Sequence, residues 1–284
     1  MKDKQYAKTI STPDGLTIYY WMNWNKSLTK EFKVIHPAAS MNHSSLEPIE
    51  KGLTERGHPT ILLDARGFGY SQGPAEKKYY SLDRYTADLQ QIIEQEGIEK
   101  PSFVGHSLGF MPIIDYVAKT GNCKNITGIC ASHNFAKTAP NEAMFNIWNF
   151  FKFYEYGGSA LIGLAHKLRG ETRGYSNQSN LEGKSDFDVF CSLLDIPIKE
   201  IKVHMVNGSD IPMDISDQLK KIDVPMLLVY GNKDLFVRPF AGEYISELCR
   251  NHKNSPIVEV TEGSHSLPLI SPKKVLGIMD KHLS

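Results

Sequence analysis

Gly105-His106-Ser107-Leu108-Gly109 lies between a short apolar run, Ser102-Phe103-Val104-Gly105, and the series Phe110, Ile113, Ile114 and Val117. The run has the length and character of a buried strand, and the series repeats at helical spacing until Gly121. The pentapeptide matches G-x-S-x-G. Where such a string joins strand to helix, flanking glycines permit a strained turn that lifts the serine hydroxyl above the sheet. The string alone is weak in a chain with 22 glycines, and its bland alternative is a glycine-bounded turn carrying an ordinary serine. Its setting between strand and helix favours the first reading.

Working outward, strand-like and helix-like segments alternate, which predicts an α/β fold with a mostly parallel central sheet and helices on both faces. Phe32 to His36 and Thr60 to Asp64 read as buried strands, with Leu46, Ile49 and Leu53 spaced as a helix between them. Leu82, Tyr85, Leu89, Ile92 and Ile93 give a further helix, with Ser81 as N-cap and Gly97 as stop. Ile126 to Ala131, Met226 to Tyr230 and Ile257 to Val260 complete the strands, and Val275, Leu276, Ile278 and Met279 fit a terminal helix. At the N-terminus, Ala7 to Ser11 and Leu16 to Met22 flank Pro13-Asp14-Gly15, an antiparallel hairpin at one end of the sheet. The alternation fails in residues 134–222, where helical patterns surround a polar stretch. The expected organisation is therefore a core of residues 1–133 and 223–284 with a helical cap inserted at 134–222.

Composition narrows the function classes. With 284 residues, 41% hydrophobic and 23% charged, the chain can build a packed core. Its 32 basic and 32 acidic residues cancel, so no overall field favours nucleic acid or anionic lipid. No apolar run reaches the roughly 18 residues of a membrane span. The charged start Met1-Lys2-Asp3-Lys4 leads into no signal-like segment, so a cytoplasmic location is expected. The four cysteines form no C-x-x-C pair and no metal-ligand spacing with histidine; they are expected to be reduced thiols, with no metal.

A serine hydroxyl is a poor nucleophile at neutral pH. It needs a base, and the base needs a carboxylate to fix its tautomer. Met226-Leu227-Leu228-Val229-Tyr230-Gly231-Asn232-Lys233-Asp234 places an aspartate just past a strand's carboxyl end, where parallel sheets present their sites. Glu262-Gly263-Ser264-His265 follows the last strand in the same way. Ser107, Asp234 and His265 thus occur in the serine, acid, histidine order associated with this turn.

On these residues the chain resembles the α/β-hydrolase fold family, in its capped, lipase- and esterase-like branch. Asp64-Ala65-Arg66-Gly67-Phe68-Gly69-Tyr70-Ser71 is similar to the family's D-x-R-G-x-G-x-S segment, and Ile222-Asp223-Val224-Pro225 to its entry into the acid strand. The resemblance implies Ser107 as nucleophile, Asp234 as acid and His265 as base, in a hydrolase acting on a small-molecule ester through an acyl-enzyme. It places oxyanion N–H donors at Leu108 and at Ala38; the family usually reads His-Gly-x where this chain reads His36-Pro37-Ala38, and proline has no N–H. It also makes Asp64 a loop-organising residue rather than a second acid.

Secondary candidates are His36 and His106 near the pocket, and Trp148 and Phe151 within an aromatic run that either lines an acyl site or packs the insertion. Gly67-Phe68-Gly69 lacks the third glycine of a dinucleotide fingerprint, and Asn232-Lys233-Asp234 has no accompanying phosphate loop, so no cofactor is expected. Carbon-carbon bond hydrolysis, a proton-abstracting lyase and a silent ligand-binding protein stand as alternatives on the same residues.

Overall fold

The computed structural model describes residues 7–38, 41–74, 76–138, 182–183 and 214–283. Eight strands form one sheet: β1 (Lys8–Ser11), β2 (Thr17–Asn23), β3 (Lys33–His36), β4 (Thr60–Leu63), β5 (Ser102–His106), β6 (Asn125–Ile129), β7 (Met226–Gly231) and β8 (Ile257–Thr261). Their spatial order is β1-β2-β4-β3-β5-β6-β7-β8. Strand β2 runs antiparallel to both of its neighbours, and every other pairing is parallel. The hairpin expected around Pro13-Asp14-Gly15 is present, with Ile10 opposite Ile18 and Thr12 N–H bonded to Leu16 O at 2.8 Å.

Among the described residues the α-helices are α1 (Glu47–Glu55), α2 (Leu82–Gln95), α3 (Phe110–Thr120), α4 (Phe135–Thr138), α5 (Ser216–Leu219), α6 (Phe240–Leu248), α7 (Leu267–Ile270) and α8 (Pro272–Leu283). Strand residues alternate between two buried faces. Ile35, Leu62, Val104, Leu227 and Val229 pack beneath α1 and α8, whereas Val34, Ile61, Phe103, Leu228 and Tyr230 pack beneath α2, α3, α5 and α6. A strand buried on both sides has no solvent face to fill with polar residues, which is why β4 and β7 read as near-continuous apolar runs and β3 and β5 are apolar at their centres, with polar residues at their ends. Each fully buried side chain of this size contributes roughly 1.5–3 kcal/mol against exposure.

The ends of α2 and α3 follow their sequence signals. Ser81 has extended backbone, and its Oγ accepts Arg84 N–H at 3.2 Å, while Gly121 closes α3 with φ of 64° and bonds Val117 O. Helix α6 had no clear signal. Its Gly242 is a poor helix former, yet a Cβ there would stand 2.7 Å from the Tyr230 ring and 2.8 Å from Val258, so close packing on the sheet outweighs propensity.

The insertion expected at 134–222 lies outside the described residues except at 182–183 and at its two ends. Those ends meet: Ile215 N–H bonds His133 O at 3.0 Å, and Asn134 forms an isolated antiparallel bridge with Asp214, reinforced by a 2.8 Å side-chain hydrogen bond. Among the described residues no helix is long and apolar enough to cross a membrane.

The strand order fixes where a site can form. From β3 the chain moves outward to β4, then returns across β3 to β5 on its other side. Connections therefore diverge at β3 and β5 and leave a crevice at their carboxyl ends, the place where open α/β sheets bind ligands.

Candidate active site

Ser107 follows β5 at that crevice with φ of 51°, a left-handed value that a non-glycine residue adopts at local cost. The two motif glycines have separate tasks. A Cβ at Gly105 would lie 2.7 Å from Phe110 Cα and 2.8 Å from Phe110 N, so this glycine lets α3 fold back against its own strand. A Cβ at Gly109 would lie 2.4 Å from His36 O and 2.6 Å from Pro37 O, so this one lets the loop after β3 rest on the serine turn. That contact brings the His36-Pro37-Ala38 loop, with Ala38 buried at 4% exposure, against the segment holding Leu108.

His265 arrives from the loop after β8. Its Nδ1 lies 2.8 Å from Asp234 Oδ2, and Asp234, from the loop after β7, is 3% exposed. The other carboxylate oxygen, Oδ1, accepts the Phe236 and Val237 N–H groups, each at 2.8 Å. Burial alone would raise the Asp234 pKa, but His265 and these two N–H donors outweigh it and hold the carboxyl below its ordinary value. An ionised carboxylate accepts only, so Nδ1 of His265 donates to it, and Nε2 is the nitrogen left for other partners. A base with its free nitrogen turned away from its carboxylate is what proton abstraction from a hydroxyl requires.

His106 and His36 stand behind this arrangement. His106 is fully buried, its Nε2 lies 3.0 Å from His265 O, and the two rings are 5.2 Å apart. Burial, with the nearby His265, pulls its pKa down to about 3. The neutral ring therefore donates from Nε2 and fixes the His265 backbone. His36 is likewise buried, bonds Pro37 O through Nδ1 at 3.0 Å, and is held at about 4 by burial. His106 thus links the serine turn to the loop after β8, whereas His36 bonds within its own loop. Trp148 and Phe151 lie outside the described residues.

Asp64 faces a different partner. Fully buried, it accepts His43 N–H at 2.6 Å and Tyr70 N–H at 2.8 Å, and lies 2.9 Å from His43 Nδ1, while the His43 ring stacks on Trp21 at 3.6 Å. It thus ties the segment after the β3 loop to the turn after β4. Arg66 of the same motif is buried and pairs through two nitrogens with Asp88. The links to His43 and Asp88 join residues 21 and 22 apart, which no local pattern announces.

One His/Cys group among the described residues, His106, Cys130 and His265, brings its ligand atoms within 4.8 Å of one another. His265 is already engaged by Asp234 and His106 by the His265 carbonyl, so the group belongs to the hydrogen-bond network behind the serine turn. Sequence reasoning also passed over Phe236. Its ring lies 5.2 Å from that of His265, yet its only sequence mark is a place two residues beyond Asp234.

Comparison with known proteins bears on the fold and on the spread of chemistry it hosts. The chain is 21% identical to mouse epoxide hydrolase 4 over 245 residues, covering 77% of this chain and 64% of that protein. It is 25% identical to proline iminopeptidase of Flavobacterium johnsoniae over 181 residues, covering 63% and 54%. The chain thus spans less than two thirds of the length of these curated relatives. Among solved structures, an esterase from Exiguobacterium antarcticum superimposes with a TM-score of 0.73 at 18% identity, over 96% of this chain and 97% of that one. The family model described as the α/β hydrolase fold matches residues 19–161, from β2 through the serine turn and into the insertion. Half of the chain falls within that match, and on it together with the eight-stranded sheet this chain belongs to the α/β hydrolase fold family.

Proposed function

We propose that this protein hydrolyses a carboxylic ester with an apolar acyl or alcohol group, through an acyl-enzyme, with Ser107 as nucleophile, His265 as general base and Asp234 as the orienting acid. The observation that carries the reading is the buried Asp234 holding His265 Nδ1 at 2.8 Å in the loop after β8, with Ser107 in its positive-φ turn after β5 and the adjacent His106 Nε2 bonded to His265 O at 3.0 Å. In acylation, Nε2 takes the Ser107 proton as Oγ attacks the ester carbonyl. The oxyanion that forms is met by the backbone N–H groups of Ala38 and Leu108. Collapse expels the alcohol oxygen, which receives the proton from His265. Water then attacks the acyl-serine with His265 again as base, and acid and free enzyme result. Each oxyanion donor is worth about 10²–10³ in kcat.

The relatives act on an epoxide, a peptide and an ester by name, so the ester assignment rests on the serine and its base rather than on them. Ser107→Ala tests it. Loss of the hydroxyl should lower kcat for p-nitrophenyl esters on the order of 10⁶-fold and abolish labelling by a fluorophosphonate, with folding retained. Retention of a tenth of the wild-type rate, roughly five orders more than this expectation, would remove Ser107 as nucleophile.

A further inference from the structure

Beside His265 the loop after β7 divides its apolar side chains in two directions. Val237 is fully buried, whereas Leu235 is 69% and Phe236 42% exposed. Leaving two large apolar groups in water next to a buried neighbour forfeits burial that the same loop obtains for Val237, so the exposed pair is not core packing. The Phe236 ring is inclined at 60° to the His265 ring with centroids 5.2 Å apart. Its backbone N–H is held by Asp234 Oδ1, so the residue is anchored on the acid's own loop.

We infer that Phe236, with Leu235 beside it, is the wall against which the alcohol part of the substrate rests, and that it selects esters of apolar, ring-bearing alcohols. This rests on the acyl-enzyme reading. In that reaction the acyl carbon stays on Ser107 Oγ, while the leaving oxygen must come within hydrogen-bond reach of His265 to receive its proton. The group attached to that oxygen is therefore on the histidine side of the site and extends past the imidazole. The nearest described aromatic side chain with accessible surface there is Phe236. A partly exposed aromatic ring favours an aryl or benzyl group, which can stack on it or meet it edge to face.

The experiment uses two esters that share an acyl group, benzyl butyrate and methyl butyrate. Phe236→Ala removes the ring but leaves the N–H to Asp234, and should lower the benzyl-to-methyl ratio of kcat/KM about tenfold, the effect of losing roughly 50 Å² of apolar contact. Phe236→Tyr, which keeps a ring, should restore most of that ratio. Where breakdown of the butyryl-enzyme limits turnover, both esters should keep one common kcat in each variant, because they form the same intermediate. An unchanged ratio in Phe236→Ala would overturn the inference. So would a ratio that falls while the common kcat falls with it, since that pattern marks a ring that merely steadies His265. Absence of fluorophosphonate labelling at Ser107 in the wild type would instead show that the acyl-enzyme reading is at fault, and the inference would fall with it.

Discussion

Gly109→Ala is a one-carbon change with a computable consequence. The added Cβ would stand 2.4 Å from His36 O, 2.6 Å from Pro37 O and 2.7 Å from His36 Nδ1. Ordinary contacts of this kind begin near 3.4 Å, so the serine turn and the β3 loop must separate by about 1 Å. Two of the three atoms are backbone carbonyl oxygens and cannot rotate aside. The separation carries Ala38 N–H away from Leu108 N–H, and an oxyanion sitting at about 2.9 Å from both would then find one of them near 3.9 Å, beyond hydrogen-bond range. Loss of one such donor should lower kcat about 10²–10³-fold. The crowding should also destabilise the fold by roughly 1–3 kcal/mol, or about 2–12 °C in Tm for a chain of this size. Steady-state turnover of p-nitrophenyl butyrate and a melting curve measure both. Gly277→Ala is the control, since a Cβ there meets nothing within 4 Å and its helix should gain about 0.5–1 kcal/mol. If Gly109→Ala kept the wild-type kcat and Tm, the loop and the turn would not be locked together as argued, and the Ala38 assignment would lose its geometric support.

Three further outcomes are expected. Asp234→Asn should lower kcat by roughly 10⁴, because an amide facing Nδ1 favours the wrong imidazole tautomer; a loss under tenfold would remove Asp234 as the acid. Asp64→Asn should act chiefly on Tm, since Asp64 holds His43 and Tyr70 rather than His265; a larger catalytic loss than Asp234→Asn at unchanged Tm would reverse the two assignments. Glu31 lies 3.0 Å from Lys33, 3.1 Å from Lys124 and 3.8 Å from His58; burial works to raise its pKa, but Lys33 and Lys124 prevail and bring it from 4.5 to about 2. A carboxyl depressed in the fold gives stability that is present above its unfolded value and lost as pH falls toward its folded one. Glu31→Gln should therefore flatten the fall of Tm between pH 4.5 and about 2, and an unaltered acid limb would refute the contribution.

The sequence was most legible where local and global demands coincide. Buried strands need apolar runs and α3 needs its periodicity, so the elements around Ser107 were readable, and with them the serine turn itself. Asp234 and His265 could be singled out because each follows a strand end, and the structure brings their side chains to 2.8 Å of each other. What escaped reading depends on contacts between distant segments. The order β2-β4-β3-β5 comes from a chain that doubles back, which no periodicity encodes. Helix α6 is held by Gly242 against Tyr230, a fit invisible until the sheet is built. Phe236 looks like any loop phenylalanine, because exposure is a property of the fold and not of the residue. The supports His36 and His106 were visible as candidates, but only the structure supplies their carbonyl partners.

The bond from Ile215 to His133 and the bridge from Asn134 to Asp214 mean that the inserted segment leaves and re-enters the core at one point. Chain ends held together in this way close what lies between them as a loop, and doubling a loop's length costs only about 0.6 kcal/mol in closure entropy. Within that loop, Gly183 N–H bonds Ile270 O at 2.9 Å and Glu182 pairs with Lys273 at 2.8 Å, so the segment also touches the core at α7 and α8. Segments of other lengths grafted at the Asn134 and Asp214 junctions should therefore leave the sheet folded at the expense of those two contacts, which makes these junctions the natural points of exchange, by recombination in a genome or at the bench.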